Sequence, residues 1–449
     1  MIVNKKHWPI LLAIVVSASA AACGGGNSSS DAADAPEAGD LEHEEGDAAG
    51  EPLEDAAQDD GAAEIEPDPD PEPDLPLEIE DIVEDAGEEE TPAVFYPPEN
   101  WGPFSVGVRT MRHHSSEMDK TIEIKIWYPA VDPPPGATPA TYLLLMKGNA
   151  YEDLAVNPAS PPYPLILFSH GNKGVNFQSY SLTEHLASHG FFVAAPNHPG
   201  NTMFDSPSDE QMAVIALERP QDIAFAYEKI MEAVYASGDP FYLQVDSARV
   251  GIAGHSFGGY TTVVISGASV DVDAAAARCD AGSESDIFCP YISFWPAGET
   301  IRRPDSMSIV KAALALAPGG YAAFGDEGLG DVDMPVMIFG GTLDEWTPLE
   351  TEIRPIYDGI EEDAWKIEIT QAGHMSFTDI CRLPVASLIP ELADMCDPEV
   401  YIDIDSAFYI TNTFSTAYFR FYLFEEDEME VYLTEEYGAT FPQIDFQLK

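Results

Sequence analysis

From about residue 100 onwards the sequence predicts an α/β fold: a mostly parallel central sheet with helices on both faces and an antiparallel N-terminal edge. Two observations predict it. Short runs that are apolar at nearly every position alternate with longer helix-like patterns. Strands buried on both faces must be apolar throughout, and alternation with helices is how parallel strands are connected. In chain order, 104–110 and 121–128 follow one another without a helix and are expected to form the antiparallel edge hairpin. Runs 165–169, 191–196, 249–253, 312–317, 336–339 and 366–370 supply the remaining strands. Helices are expected at 180–188, at 209–237 with a break near Pro220, and at 257–266. The stretch 407–425, rich in Tyr and Phe, reads as a final covering helix packed on the core.

What precedes residue 100 has a different composition. Lys5 and Lys6 precede an apolar run from Trp8 to Val16, too short for an ordinary membrane span and suited to a secretion signal over residues 1–22. Small residues then lead to Cys23, followed by Gly and Ser. This pattern resembles a bacterial lipoprotein signal, which implies lipidation of Cys23, a membrane anchor and a place in the cell envelope. Ala20 departs from the usual Leu. Residues 24–99 hold 28 of the 79 acids and no Lys or Arg. So acidic and Pro-rich a segment cannot bury enough apolar surface to order itself, and 23–99 is expected to be an extended, disordered tether. The third segment, 100–449, is the folded domain. With 20 basic residues and a net charge of −59, the chain repels phosphate backbones, which excludes nucleic acid as a partner.

Four further cysteines fall as two near pairs. In an exported protein their even number suggests the disulfides Cys279–Cys289 and Cys381–Cys396, although four cysteines permit three connectivities. Neither pair has the C-x-x-C spacing of a zinc site.

The chemistry is concentrated in Arg249-Val-Gly-Ile-Ala-Gly-His-Ser256-Phe-Gly-Gly-Tyr260. An apolar strand runs into Gly-x-Ser-x-Gly and a helix pattern begins at once, which is the context of a nucleophile elbow. Serine needs a base, and in this arrangement the order is Ser, acid, His. After His255 the only histidine in the sequence is His374, just past a strand. Asp344 follows the apolar run ending in Gly340-Gly341 and is the expected acid, with Glu345 and Asp326 as alternatives. It would accept the Nδ1 hydrogen bond of His374 and fix the tautomer. Oxyanion donors are expected at the backbone N–H of Phe257 and of Asn172, in the loop after 165–169. His170 and His255 are expected to be structural. Trp295 and Trp346 are expected to pack, with a substrate-walling role as the alternative, and Arg219 and Asp222 to form a local salt bridge or cap at a helix start.

Ser169-His-Gly171, Leu186-Ala-Ser-His-Gly-Phe-Phe-Val-Ala-Ala-Pro196, Gly254-His-Ser-Phe-Gly258, Leu343-Asp344 and Gly373-His374 together resemble secreted platelet-activating-factor acetylhydrolases and the bacterial predicted dienelactone hydrolase-like lipases. Gly102-Pro-Phe-Ser-Val-Gly107 and Ile126-Trp-Tyr-Pro-Ala130 look like that family's entry segment. The resemblance covers about residues 100–425. It implies an α/β-hydrolase fold with Ser256 as nucleophile, Asp344 as acid, His374 as base, and Phe257 and Asn172 as oxyanion donors. True dienelactone hydrolases use cysteine, so that name does not fix the substrate.

The expected activity is hydrolysis of carboxylic esters through an acyl-enzyme, without metal or cofactor. Short-acyl esters are the substrate class, with platelet-activating-factor-like or oxidised phospholipids as candidates. The same machinery serves an acyltransferase, a polyester hydrolase or a peptidase, and the rival from another class is an inactive surface binding protein.

Overall fold

The computed structural model describes residues 95–449 apart from 144 and 283–285. The expected signal segment, Cys23 and the tether as far as residue 94 lie outside the described residues. The folded region has the α/β-hydrolase fold, with one eleven-stranded sheet. β1 (Ser105–Ser115) and β2 (Lys120–Ala130) form an antiparallel hairpin in which Ser105 faces Ala130 and Ser115 faces Lys120. β3 (Pro139–Tyr142) and β4 (Met146–Glu152) lie outside that hairpin, so the sheet ends on β3 rather than on β1.

The parallel centre comprises β5 (Tyr163–Ser169), β6 (Phe192–Pro196), β7 (Val245–His255), β10 (Val310–Leu316), β11 (Val336–Gly341) and β12 (Ala364–Ile369). The two-residue strands β8 (Val270–Asp271) and β9 (Thr300–Ile301) pair separately, and β13 (Ile444–Leu448) adds an antiparallel edge to β12. From one edge to the other the order is β13-β12-β11-β10-β7-β5-β6-β2-β1-β4-β3. Every residue of β5, β6, β11 and β12 is buried. On β12 that burial includes Lys366 and Glu368, whose ammonium and carboxylate lie 2.9 Å apart, with Arg354 gripping the same carboxylate through two hydrogen bonds of 2.8 Å. Charges in a buried strand persist because they are paired.

Helices follow the strands: α1 (Tyr180–Ser188), α2 (Asp209–Tyr235), α3 (Phe257–Ile265), α4 (Val272–Asp280), α5 (Tyr321–Leu329) and α6 (Ile404–Phe419). α2 starts on a capping box in which Ser208 Oγ accepts from Gln211 N–H and Gln211 Oε1 accepts from Ser208 N–H. The expected break at Pro220 does not occur, and the helix runs through it. Proline removes one backbone bond, whereas the face carrying Met212, Ile215, Ala216, Ile223, Ala226 and Ile230 is buried along its length and holds the segment together. The C-terminal helix covers the core as expected: Phe414, Ala417, Tyr418 and Phe419 are buried, and the Tyr418 hydroxyl donates to the Pro335 carbonyl at 2.7 Å. Among the described residues no helix is long and apolar enough to cross a membrane.

Candidate active site

β7 enters the site from the sheet and α3 leaves it, with Ser256 between them at φ 58° and ψ −117°. A non-glycine residue with positive φ is strained, and strain of this kind gathers at functional positions. The turn is tight enough to dictate its neighbours. A Cβ on Gly254 would lie 2.2 Å from the Gly258 carbonyl oxygen, and one on Gly258 would lie 1.9 Å from that of Ser169. Only glycine fits at either position, which gives the motif its two fixed residues a steric cause. The Ser256 N–H donates to the Leu316 carbonyl at 2.8 Å, anchoring the turn to β10. Phe257 is the first residue of α3, so its N–H has no intrahelical acceptor and lies at the positive end of the helix.

Asp344 and His374 meet across the ends of β11 and β12. His374 Nδ1 lies 2.7 Å from Asp344 Oδ2. The carboxylate also accepts from the N–H groups of Trp346 and Thr347 at 2.9 Å each and from the Thr347 hydroxyl at 2.8 Å. Burial works against its charge, but the nearby His374 and these hydrogen bonds outweigh it, and the pKa of Asp344 sits below the ordinary carboxylate value. An ionised Asp344 places the imidazole proton on Nδ1, which leaves Nε2 as the basic nitrogen. The His374 ring is flanked by His255, with centroids 4.7 Å apart, and by Trp346, at 4.9 Å. Ser256 and His374 are nearly buried, at 7% and 8% exposure. Of the alternative acids, Glu345 is exposed and Asp326 accepts from the Tyr321 hydroxyl at 2.9 Å.

The loop after β5 passes close to the elbow: a Cβ on Gly171 would lie 3.3 Å from Ser256 Cβ. Its next residue, Asn172, has an exposed side chain whose Oδ1 accepts from Asn201 at 2.7 Å. Gly171 N–H donates to Gln178 Oε1 at 3.0 Å, and Gln178 Nε2 lies 2.9 Å from His255 Nδ1. His255 Nε2 in turn lies 2.9 Å from the His374 carbonyl oxygen. Burial, helped by the neighbouring His374, lowers the pKa of His255 to about 3, so it is neutral and serves as a hydrogen-bonding spacer.

Sequence reading missed what stands beneath this loop. Ser169 Oγ lies 2.9 Å from His198 Nε2, and His198 Nδ1 lies 2.9 Å from Asp222 Oδ2, with Lys120 Nζ 2.6 Å from the other oxygen of Asp222. Arg219 donates to Ser169 Oγ at 3.1 Å, Asn201 Oδ1 at 2.7 Å, Thr261 Oγ1 at 3.2 Å and the His170 carbonyl, while its guanidinium lies 4.5 Å from the centroid of the Phe257 ring. Arg219 and Asp222 therefore sit inside α2 and fasten the loop to it; they do not cap a helix start. One signal was available, since both fall on the apolar stripe of α2, where a charge needs a buried partner.

Trp295 is packed, its Nε1–H donating to the Ala213 carbonyl at 2.9 Å, whereas Trp346 is 38% exposed beside His374 and walls the site. The cysteines join as Cys279–Cys289 and Cys381–Cys396. The second bridge follows the His374 segment, which is also clasped to the start of α1: Ser179 Oγ donates to the Phe377 carbonyl, Asp379 N–H to the Gln178 carbonyl, and Ser181 N–H to Asp379. Among the described residues no group of three or more His, Cys, Asp or Glu side chains is placed to hold a metal.

Residues 154–276 match the family model described as chlorophyllase, an α/β-hydrolase-type family of ester hydrolases. The match begins just before β5 and ends in α4, so it contains the Asn172 loop and Ser256 but stops short of Asp344 and His374. No curated protein matches the chain.

Proposed function

We propose that the chain is a serine esterase. The observation that carries this reading is the 2.7 Å bond between His374 Nδ1 and Asp344 beside a strained Ser256 at the head of α3. Ser256 Oγ attacks the ester carbonyl while His374 Nε2 takes its proton. The carbonyl oxygen, now negative, is met by the N–H groups of Phe257 and Asn172. Collapse expels the alcohol, which receives the proton from His374, and water then hydrolyses the acyl-enzyme by the same steps. The proposed substrates are short-acyl carboxylic esters, including platelet-activating-factor-like or oxidised phospholipids, in keeping with the sequence resemblance. Trp346 offers an apolar wall for the part of the ester that lies over His374. The proposed setting is the cell envelope, with the domain held on an acidic tether anchored through lipid on Cys23.

Labelling of the full chain by a fluorescent fluorophosphonate, compared with Ser256→Ala, tests the nucleophile. A series of p-nitrophenyl esters from acetate to palmitate, with a short-acyl phospholipid and chlorophyll as further arms, tests the substrate class. Labelling confined to Ser256 and turnover falling with chain length are expected. An unlabelled protein overturns the reading, and turnover confined to palmitate or chlorophyll overturns the short-acyl class.

A further inference from the structure

We propose that Gln178 is a positioning residue that sets the oxyanion loop against the base loop through one side chain. The proposal rests on the esterase reading above. The amide has only one consistent orientation. Gly171 N–H is a donor, so the group facing it at 3.0 Å is Oε1, and the amide nitrogen faces His255 Nδ1 at 2.9 Å. An Nδ1 that accepts leaves the His255 proton on Nε2, which then donates to the His374 carbonyl at 2.9 Å. Every member of the series therefore has a fixed role: Gly171 N–H, Gln178 amide, neutral His255, His374 carbonyl.

Gln178 is held from behind as well. Its own carbonyl accepts the Asp379 N–H at 2.8 Å, five residues beyond His374. A Cβ on Gly174 would lie 2.2 Å from Gln178 Oε1, so the loop that Gln178 organises is wrapped closely around the amide. Turning the Gly171 N–H inward to Gln178 commits that donor to structure and leaves the next one, Asn172 N–H, for the substrate. A hydrogen-bond donor stabilises a developing oxyanion only if it is in place before charge forms. Among the described residues, Gln178 is the side chain that bonds both the loop bearing that donor and the histidine that supports the base.

The test compares wild type, Gln178→Leu and Gln178→Glu in the full chain, using p-nitrophenyl acetate kinetics, the fluorophosphonate labelling rate, affinity for an alkyl boronic acid that mimics the tetrahedral state, and Tm. Leucine removes both bonds. It should lower kcat about 10–100-fold with KM within about twofold, and weaken the boronic acid by a similar factor. Glutamate keeps the acceptor for Gly171 but cannot donate to His255. It should recover part of the lost kcat and move the acid limb of the pH profile upward, because a carboxylate here favours protonated imidazole.

A labelled wild type with a leucine variant of unchanged kcat overturns the proposal. So does a leucine variant whose kcat, KM and Tm fail together with no recovery in glutamate. Where leucine does not fold, the glutamate variant decides, and an unshifted acid limb with wild-type kcat overturns the proposal. A wild type that neither labels nor turns over ester overturns the esterase reading, and this proposal with it.

Discussion

Two sets of Ser, His and Asp stand out among the described residues, and they differ both in surroundings and in whether the serine is bonded to its histidine. Ser256, His374 and Asp344 lie at the ends of strands with the serine strained, slightly exposed and without a hydrogen bond from its hydroxyl to any described residue. Ser169, His198 and Asp222 are joined by two bonds of 2.9 Å and are buried to within 2%. By geometry alone the inner series is the better formed. It is nonetheless a poor nucleophile, because Arg219 donates to a Ser169 lone pair and substrate has no path to it. Burial together with the nearby Arg219 and Lys120 charges also drives the pKa of His198 well below its ordinary value, so that ring resists taking a proton. A complete Ser–His–Asp hydrogen-bond series is therefore not by itself a sign of catalysis, since access to the serine oxygen and a base able to take its proton are needed as well.

The widest separation between the two should come from serine itself. Ser256→Ala is expected to abolish fluorophosphonate labelling and cut kcat/KM by about 10⁴–10⁶-fold, while Ser169→Ala keeps the label at Ser256. Asp344→Asn should lose about 10⁴-fold in kcat with little change in Tm, because the wrong tautomer of His374 is then favoured. Arg219→Met should act mainly on stability, with a smaller loss of kcat from the loosened loop of Asn172. Leaving Asn201, Ser169 and the His170 carbonyl without their buried donor is expected to cost about 3–5 kcal/mol in urea denaturation. Loss of activity in a fully stable Arg219→Met protein would erase the distinction.

Cys381→Ser with Cys396→Ser should cost about 3 kcal/mol, as a loop of 15 residues implies, and lower the midpoint without altering the pH profile. The smallest effect concerns Asp379, whose pKa is raised to about 7 by burial despite the bonds from Ser181. A raised folded pKa means that the protonated form is favoured in the fold. That stabilisation is present below the ordinary carboxylate pKa and is lost as pH rises through about 7. Asp379→Asn should therefore gain Tm relative to wild type between pH 4 and pH 8, and a constant difference would show that Asp379 stays ionised.

The outer series was legible because its parts are motif-bound: a strand, Gly-x-Ser-x-Gly, a helix, and a single later histidine. The inner series was not, since Ser169, His198 and Asp222 share no motif and meet only once β5, β6 and α2 have packed. The same contrast holds for the fold. β5, β7 and β11 announce themselves by continuous apolarity, whereas β3 (PATY) and β4 (MKGNAYE) escaped notice, because each carries Pro or Gly and fully buries only two of its residues. Pro220 misled in the other direction, since a local rule about proline was outweighed by a buried helix face.

The guanidinium beneath Phe257 has one more implication. This is a protein of net charge −59 that keeps a cation in its interior, directly behind the elbow. Dissolved salt screens the acidic exterior but does not reach Arg219, which is fully buried. Ionic strength should thus alter how readily a charged ester approaches, while the field felt by the reacting carbonyl stays the same, and capture and chemistry become separable by salt.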